Sequence, residues 1–506
     1  MIGTSKVIVV GLDGATWDLV KIWTDAGKLP TFSKLMEEST FCEHCSTMPP
    51  ITFPAIPSFI TGIIPEKHGI TDFATPKIDG NLGIIPTGKI KGFIDLIDKK
   101  ICINLPLTYP ANKYKEGIIV SGFLTPSKEK IGFIYPQELK TKLNCDGILS
   151  KYQIDNSMLY IPGKEKEFMR NLKNIASQRL ALSMHLAQKY KWDFLLTYFT
   201  ILDRVGHSLW HSDFLFDAYQ HVDSILKEFV KIKEKTNSYL ILFSDHGFGK
   251  SKGRFYANSW LKANNFLYMK NDVSRRGLQS FFPIINRIPK KITSFMPRIL
   301  ADKILSRFRE DFSLFFEKLD LEKSDAYASI SGIYINHEFG SRQYEMIKNQ
   351  IVRKLGELEF EKNKLSVKIK LKSEKNSLIP DIIFDIEDFS FEPSPSCEKM
   401  KPIIKFSDKD LKGWHRRNGI FLISGSEIKS GLQLNPIEIW DIAPTILHLL
   451  DIPIPHDYDG KVVKDAFKKN SKLEKKQIKY QKKTEEDKIK NVIKGGLENM
   501  YNRREI

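Results

Sequence analysis

The sequence predicts an α/β fold built on a buried, largely parallel sheet, and three short runs carry that expectation. They are KVIVVGL at 6–12, WDFLLTYF at 192–199 and YLILFS at 239–244. Each is apolar almost throughout, as strands covered on both faces are, where a half-exposed strand would alternate. Each also reaches an acidic residue at or just after its carboxyl end, namely Asp13, Asp203 and Asp245. In open α/β sheets that edge is where ligands sit.

The length and composition agree. A chain of 506 residues exceeds one minimal domain and suits a large α/β domain with insertions. With 42% hydrophobic and 27% charged residues, it has material for a sizeable core, which excludes disorder throughout, collagen-like repetition and a disulfide-stapled miniprotein. A formal charge of +17 favours phosphate-bearing or otherwise anionic partners and says nothing about fold. Five scattered cysteines, an odd number, read as free thiols in a reducing compartment. Cys42 and Cys45 form a Cys-x-x-Cys, but the second pair a zinc ribbon needs is missing. The run at 7–12 is too short to span a membrane and lacks the pattern of a signal peptide, so the expected location is cytoplasmic.

The remaining elements follow in order. Helical spacing predicts helices over 30–38, 165–189 and 214–231. The basic, proline- and aromatic-bearing stretch 275–309 reads as an insertion beside the sheet. Residues 357–375, rich in lysine and glutamate, read as a solvated face or loop. GIFLIS at 419–424 resumes the strand pattern, and 437–450 reads as a helix with Asp441 and Pro444 in its early turns. Residues 466–506 hold 13 Lys/Arg against 6 Asp/Glu and few large apolar side chains. That composition predicts a solvated helix or frayed tail in preference to a tether for nucleic acid or an anionic membrane.

The residues that carry chemistry are Asp13, Thr52, Asp203, His207, Asp245, His246 and His415. Small clusters of carboxylates and imidazoles suit a borderline cation such as zinc or manganese. Asp203 and His207 stand four apart, on one face of any helix. Asp245 and His246 are adjacent at a strand end, where a turn can aim both into one cleft. An aspartate at a strand end commonly caps the next helix, so any single pair has that ordinary explanation; the whole set in one frame does not. Thr52 lies in MPPITFPAIPSFITGIIPEKHGI at 48–70, a proline-stiffened stretch whose apolar part can form a helix. A metal can activate its hydroxyl, and a helix start beside it would favour a phosphate. A plain helix cap is the competing reading. His68 and Gly69 are expected to fix a turn.

Taken in order, Gly11-Leu-Asp13-Gly14, Thr52-Phe-Pro, Thr61-Gly62, His68-Gly69-Ile70, Asp203-x-x-Gly206-His207, Ser244-Asp245-His246-Gly247, Gly413-Trp-His415 and Asp441-Ile-Ala-Pro-Thr445 resemble the alkaline phosphatase superfamily. The closest likeness is to the microbial phosphohydrolases of its type I phosphodiesterase/nucleotide pyrophosphatase branch. The resemblance spans about residues 6–465. It implies an alkaline-phosphatase-like three-layer sandwich, with a mostly parallel central sheet, helices on both faces and cap insertions. The implied organisation is a catalytic domain over 1–465, with insertions near 80–180 and 265–400 as cap, and a basic tail over 466–506. It also implies two divalent ions, usually zinc, with manganese as the second choice. Asp203, His207 and His415 would hold one ion, and Asp13, Asp245 and His246 the other, with Thr52 as nucleophile beside it. A pair of cations about 4 Å apart can clamp the oxygens of an in-line phosphoryl displacement.

The implied function is a metal-dependent phosphohydrolase, a phosphodiesterase or nucleotide pyrophosphatase acting through a covalent phospho-threonine. Its substrate would be a phosphate ester, nucleotide or other phosphorylated small molecule. A phosphomonoesterase or phosphotransferase on the same site is the first alternative, and a non-catalytic metal-bound binding module the second. One departure stands out. Diesterase members commonly place an Asn after the His-Gly-Ile turn, where this chain has Phe73. Thr71 or a backbone N–H is the candidate replacement for its contact with phosphate, and Arg416, directly after His415, is a separate candidate phosphate contact.

Overall fold

The computed structural model describes residues 5–72, 74–76, 82–84, 90–123, 125–154, 160–270, 318–373, 378–397, 401–407 and 409–482. Its centre is a ten-stranded sheet. From one edge the order runs Leu432–Gln433, Thr40–Cys45, Asn418–Ser424, Tyr239–Phe243, Val7–Leu12, Phe194–Phe199, Lys100–Ile103, Ile118–Val120 and Ile134–Tyr135, with Ile437–Glu438 also paired to Thr40–Cys45. The five consecutive strands from Tyr239–Phe243 to Ile118–Val120 are mutually parallel. Asn418–Ser424 runs antiparallel to both neighbours.

Alternation along the central strand divides the core. Ile8, Val10 and Leu12 face one apolar layer, with the helices Trp17–Asp25, Pro30–Glu38, Glu165–Lys189 and Asp213–Thr236. Val7 and Val9 face the other, with the helices Thr52–Thr61 and Ile442–Leu449. Both layers are buried and apolar, which explains the nearly unbroken apolar runs of the predicted strands. A third cluster belongs to a smaller substructure: a sheet of Ala326–Ala328, Ile333–Ile335, Ile382–Ile386 and Val367–Leu371, with the helices Ala257–Ala263 and Arg342–Gly356.

Four placements differ from the sequence expectations. The stretch 80–180, expected as cap, supplies three strands to the central sheet, because Ile101, Cys102, Ile103, Ile119 and Val120 bury their side chains there. Within 357–375, expected as a solvated face or loop, Val367–Leu371 is a strand whose partly buried Val367 and Ile369 alternate with exposed lysines. The helix expected over 437–450 begins at Ile442. The Asp441 carboxylate accepts from the amides of Glu438 and Lys461, which stops the helix there and leaves Pro444 in its first turn, where proline fits. The chain beyond Ala466 stays packed as far as it is described, with Phe467 and Leu473 buried and Ile454 bridged to Tyr480. Residues 483–506, and all of the basic stretch 275–309, lie outside the described residues.

None of the five cysteines is in a disulfide, and burial pushes the Cys42 thiol up to about 12, as suits an inert core residue. Among the described residues, no helix is long and apolar enough to cross a membrane.

Candidate active site

The chemistry-bearing residues converge at the carboxyl ends of the central parallel strands. Asp13 follows Val7–Leu12, and its amide bonds to the Phe199 carbonyl of the next strand. Two glycines let the chain pass here. A Cβ on Gly11 would lie 2.2 Å from the Tyr198 ring, and Gly14 has φ 70° with the Phe248 ring 2.9 Å from its Cβ position. Asp203 and His207 share a face of the helix Ile201–Leu209. Asp245 and His246 form the turn after Tyr239–Phe243, held by the Ser46 hydroxyl donating to the Asp245 carbonyl at 2.6 Å. His415 arrives on the strand Gly413–Arg416, which pairs with Gly247–Lys250 and sets His415 opposite Phe248.

Two groups of ligand-type atoms result. In the first, Asp203 Oδ1 lies 3.2 Å from His207 Nε2 and 3.3 Å from His415 Nε2, and the two nitrogens are 3.0 Å apart. In the second, His246 Nε2 lies 3.5 Å from Asp13 Oδ1 and 3.3 Å from Asp245 Oδ2. The His246 and His415 rings stack at 3.9 Å and join the groups. Two sets satisfy the spacing a cation needs: Asp203, His207 and His415, and Asp13, Asp203 and His246. Asp203 therefore stands between the sets, with Asp245 beside the second.

Burial and neighbouring charge set the electrostatics of the cluster. Burial, then the Asp245 and Asp203 carboxylates, hold Asp13 well above the usual carboxylate range. Burial alone would raise Asp203 too, but the His207 and His415 imidazoles overcome it and hold it well below. Burial, then His246, pushes His415 well below the ordinary imidazole value. Asp13 Oδ1, Asp245 Oδ2, His246 Nε2 and His415 Nδ1 are buried with no hydrogen-bond partner. Orphaned buried acceptors on a carboxylate–imidazole set are the mark of a group that would bind a divalent cation.

Thr52 opens the helix Thr52–Thr61, whose N-cap is Ile51, so the threonine is not the cap that sequence reasoning set against a catalytic role. It lines a cavity of about 190 Å³ together with Asp13, Asp203, His207 and His415. Six of the seven core candidates thus lie in the two ligand groups and the seventh at the same cavity. His68 fixes its turn as expected: Nε2 meets the Ser58 hydroxyl at 2.9 Å, and Nδ1 accepts from the Ile70 amide.

The two candidate phosphate contacts fall elsewhere. The Thr71 hydroxyl donates to the Leu378 carbonyl at 3.2 Å. Arg416 donates through Nη1 to the carbonyls of Phe389, Trp414 and His415, and through Nη2 to that of Lys250. Successive side chains on a strand point to opposite faces, so the imidazole of His415 in the cleft sends Arg416 away from it. Neither Thr71 nor Arg416 lines the cavity, whereas Arg204, Asp72, Phe53, Phe123, Ile330 and Trp414 do. Arg204, Phe53 and Trp414 adjoin residues that sequence reasoning had singled out, and that adjacency was their available signal. Phe123 and Ile330 come from distant segments and left none. A larger hollow of about 470 Å³ in the smaller substructure, lined by Trp260, Glu357, Phe360 and Lys401 among others, has no histidine or cysteine in its wall.

Comparison with known proteins follows the same lines. The family described as type I phosphodiesterase/nucleotide pyrophosphatase matches residues 7–303, more than half of the chain. No curated protein matches the sequence. Among solved structures, human ectonucleotide pyrophosphatase/phosphodiesterase 5 is similar over 92% of this chain and 100% of its own, at 14% identity and a TM-score of 0.52. A mutant of the alkaline phosphatase PafA is similar over the same shares, at 14% identity and a TM-score of 0.55. At that identity the likeness speaks for the fold, which is alkaline-phosphatase-like.

Proposed function

Because the chain belongs to the type I phosphodiesterase/nucleotide pyrophosphatase family of hydrolases, we propose that it cleaves phosphodiester or pyrophosphate bonds with Thr52 as nucleophile, at a centre completed by two divalent cations. The observation that carries this reading is the shared cavity: Thr52 faces the same 190 Å³ space as Asp13, Asp203, His207 and His415. Asp203, His207 and His415 would hold one ion, and Asp13, Asp245 and His246 the other. The donor set favours zinc, with manganese second. When bound, such ions neutralise charge on phosphate oxygens and lower the pKa of a nearby hydroxyl or water.

The protein's own groups supply the rest. The start of the helix Thr52–Thr61 places positive dipole at the cavity, which favours a bound phosphate. Thr52 Oγ1 gives up its proton to solvent and attacks phosphorus in line; the Oγ1–P bond forms as the bond to the leaving oxygen breaks, and the leaving oxygen takes up a proton from solvent. Water then breaks the Oγ1–P bond and regenerates the threonine. Phe53, Phe123 and Trp414 give the cavity an apolar wall, and a less polar wall strengthens each charge contact beside it. The substrate class is a nucleotide or another phosphate ester.

The test compares wild type with Thr52→Ala on bis-p-nitrophenyl phosphate and p-nitrophenyl phosphate, each with added zinc or manganese. The reading expects the first substrate to be preferred and the variant to lose about 1,000-fold in kcat while keeping its metal. Equal rates for the two proteins would overturn it.

A further inference from the structure

Among the described residues that line the catalytic cavity, Ile330 is the one that the smaller substructure supplies. It sits in the connection 329–332 between the antiparallel strands Ala326–Ala328 and Ile333–Ile335. That turn is held from three directions. Within it, the Ser329 amide donates to the Gly332 carbonyl at 2.9 Å, and the Ser331 amide donates to the Ser329 hydroxyl at 3.0 Å. At its base, Ala328 and Ile333 are fully buried in the substructure's own core. Toward the active site, Ser331 Oγ reaches both the Thr71 carbonyl and Asp72 Oδ2, the latter at 3.2 Å, and Asp72 belongs to the cavity wall. The Thr71 hydroxyl returns a bond to the Leu378 carbonyl of the substructure. Ser329 and Ser331 are thus buried, while Ile330 between them is half-buried and meets the cavity.

We infer that Ile330 selects the organic group attached to phosphorus, favouring an apolar group over a small one. The inference rests on the phosphohydrolase reading above and adds its substrate preference. Thr52 and the carboxylate–imidazole groups mark where phosphorus reacts, and each of them carries a polar atom. An isoleucine side chain has no donor to offer a phosphate oxygen, so its place in the wall serves another part of the substrate. The other apolar wall residues are Ile51, Phe53, Phe123 and Trp414, and Ile330 adds to the surface they provide. An apolar group that leaves water for such a surface gains free energy with the area it covers. A charged oxygen gains nothing there, because it gives up its water for no new donor. The bonds within the turn and across to Thr71 hold Ile330 in place before a substrate arrives, so the contact costs little ordering. The competing role is packing alone, in which Ile330 shapes the turn and touches no substrate. Its loss would then affect every ligand of the cavity alike.

The experiment uses the full-length, zinc-loaded protein and two probes with no ester to cleave, methylphosphonate and phenylphosphonate. Affinities are read by calorimetry and zinc content by plasma mass spectrometry, for wild type, Ile330→Ala and Ile330→Thr. Wild type is expected to bind phenylphosphonate about tenfold more tightly than methylphosphonate. Ile330→Ala should cut that ratio about fivefold, with zinc content and methylphosphonate affinity unchanged. Ile330→Thr keeps the branched shape with a polar tip and should cut the ratio about threefold; it carries the test if the alanine variant does not fold. A wild-type ratio near one overturns the inference, as does a variant ratio equal to wild type or an equal weakening of both phosphonates. A protein whose ratio depends on Ile330 yet hydrolyses no bis-p-nitrophenyl phosphate leaves this contact standing and removes the Thr52 chemistry. One that hydrolyses the diester with a ratio indifferent to Ile330 does the reverse, so the two failures are distinct.

Discussion

At the scale of single residues, the site was readable wherever chemistry and backbone made the same demand. Asp13 illustrates this. The carboxylate marks a strand end, and the glycines on either side mark a backbone with no room for a side chain. Gly11 is crowded by Tyr198, and Gly14 adopts a left-handed φ against Phe248. Gly14→Ala should therefore destabilise the protein by about 1–3 kcal/mol, read as a lowered urea midpoint. A midpoint equal to wild type would mean that the turn at Asp13 is looser than described. Asp245→Asn tests the ligand set directly. It removes a charge from a fully buried carboxylate with an orphaned oxygen, so zinc affinity in a competition titration should fall at least about tenfold. Thr71 and Arg416 do not line the cavity, because adjacency in sequence does not set direction in space: one bonds a distant carbonyl, and the other alternates away from His415.

At the scale of elements, two devices aim the imidazoles. The i,i+4 spacing on the helix Ile201–Leu209 brings Asp203 and His207 together, and that was legible from spacing alone. The antiparallel pairing of Gly247–Lys250 with Gly413–Arg416 was not, because its partners are separated by more than 160 positions and neither strand is long enough to announce itself. Phe248 is the hinge pin of that pair. Its ring is 2% exposed and lies 5.0 Å from His207, 5.4 Å from His415 and 5.5 Å from Trp210. Phe248→Ala should cost about 3–5 kcal/mol in stability and should weaken zinc binding as the two imidazoles lose their common wall. If stability falls and zinc affinity does not, this strand pair carries fold and not site geometry. Helix bounds at 30–38 and 165–189 were readable from periodicity, whereas the start of Ile442–Leu449 depends on a tertiary bond from Lys461 to Asp441.

At the scale of the whole molecule, the parallel centre of the sheet was visible in its apolar runs, but its full width was not. Short strands such as Ile118–Val120 and Ile134–Tyr135 are too brief to separate from loop by pattern, and only pairing defines them. The buried histidines make stability depend on acid. Burial lowers His44 to about 4 and His68 to about 3, both below the ordinary imidazole value of 6.5. The unfolded chain therefore takes up these protons first as pH falls. Stability from this source is fully present above pH 6.5 and is lost progressively as pH drops toward 4, by about 1.4 kcal/mol per pH unit for each histidine. Urea unfolding from pH 7 to 4.5 should show that slope, reduced by about one proton in His44→Gln; an unchanged slope would contradict the assignment. The central claim is that the clustered carboxylates and imidazoles seat two divalent cations beside Thr52. Anomalous scattering from a zinc-loaded crystal tests it most directly. The account predicts two peaks, one bonded to Asp203, His207 and His415 and one to Asp13, Asp245 and His246, both next to the Thr52 hydroxyl. A single peak, or ions bound anywhere else, would contradict it.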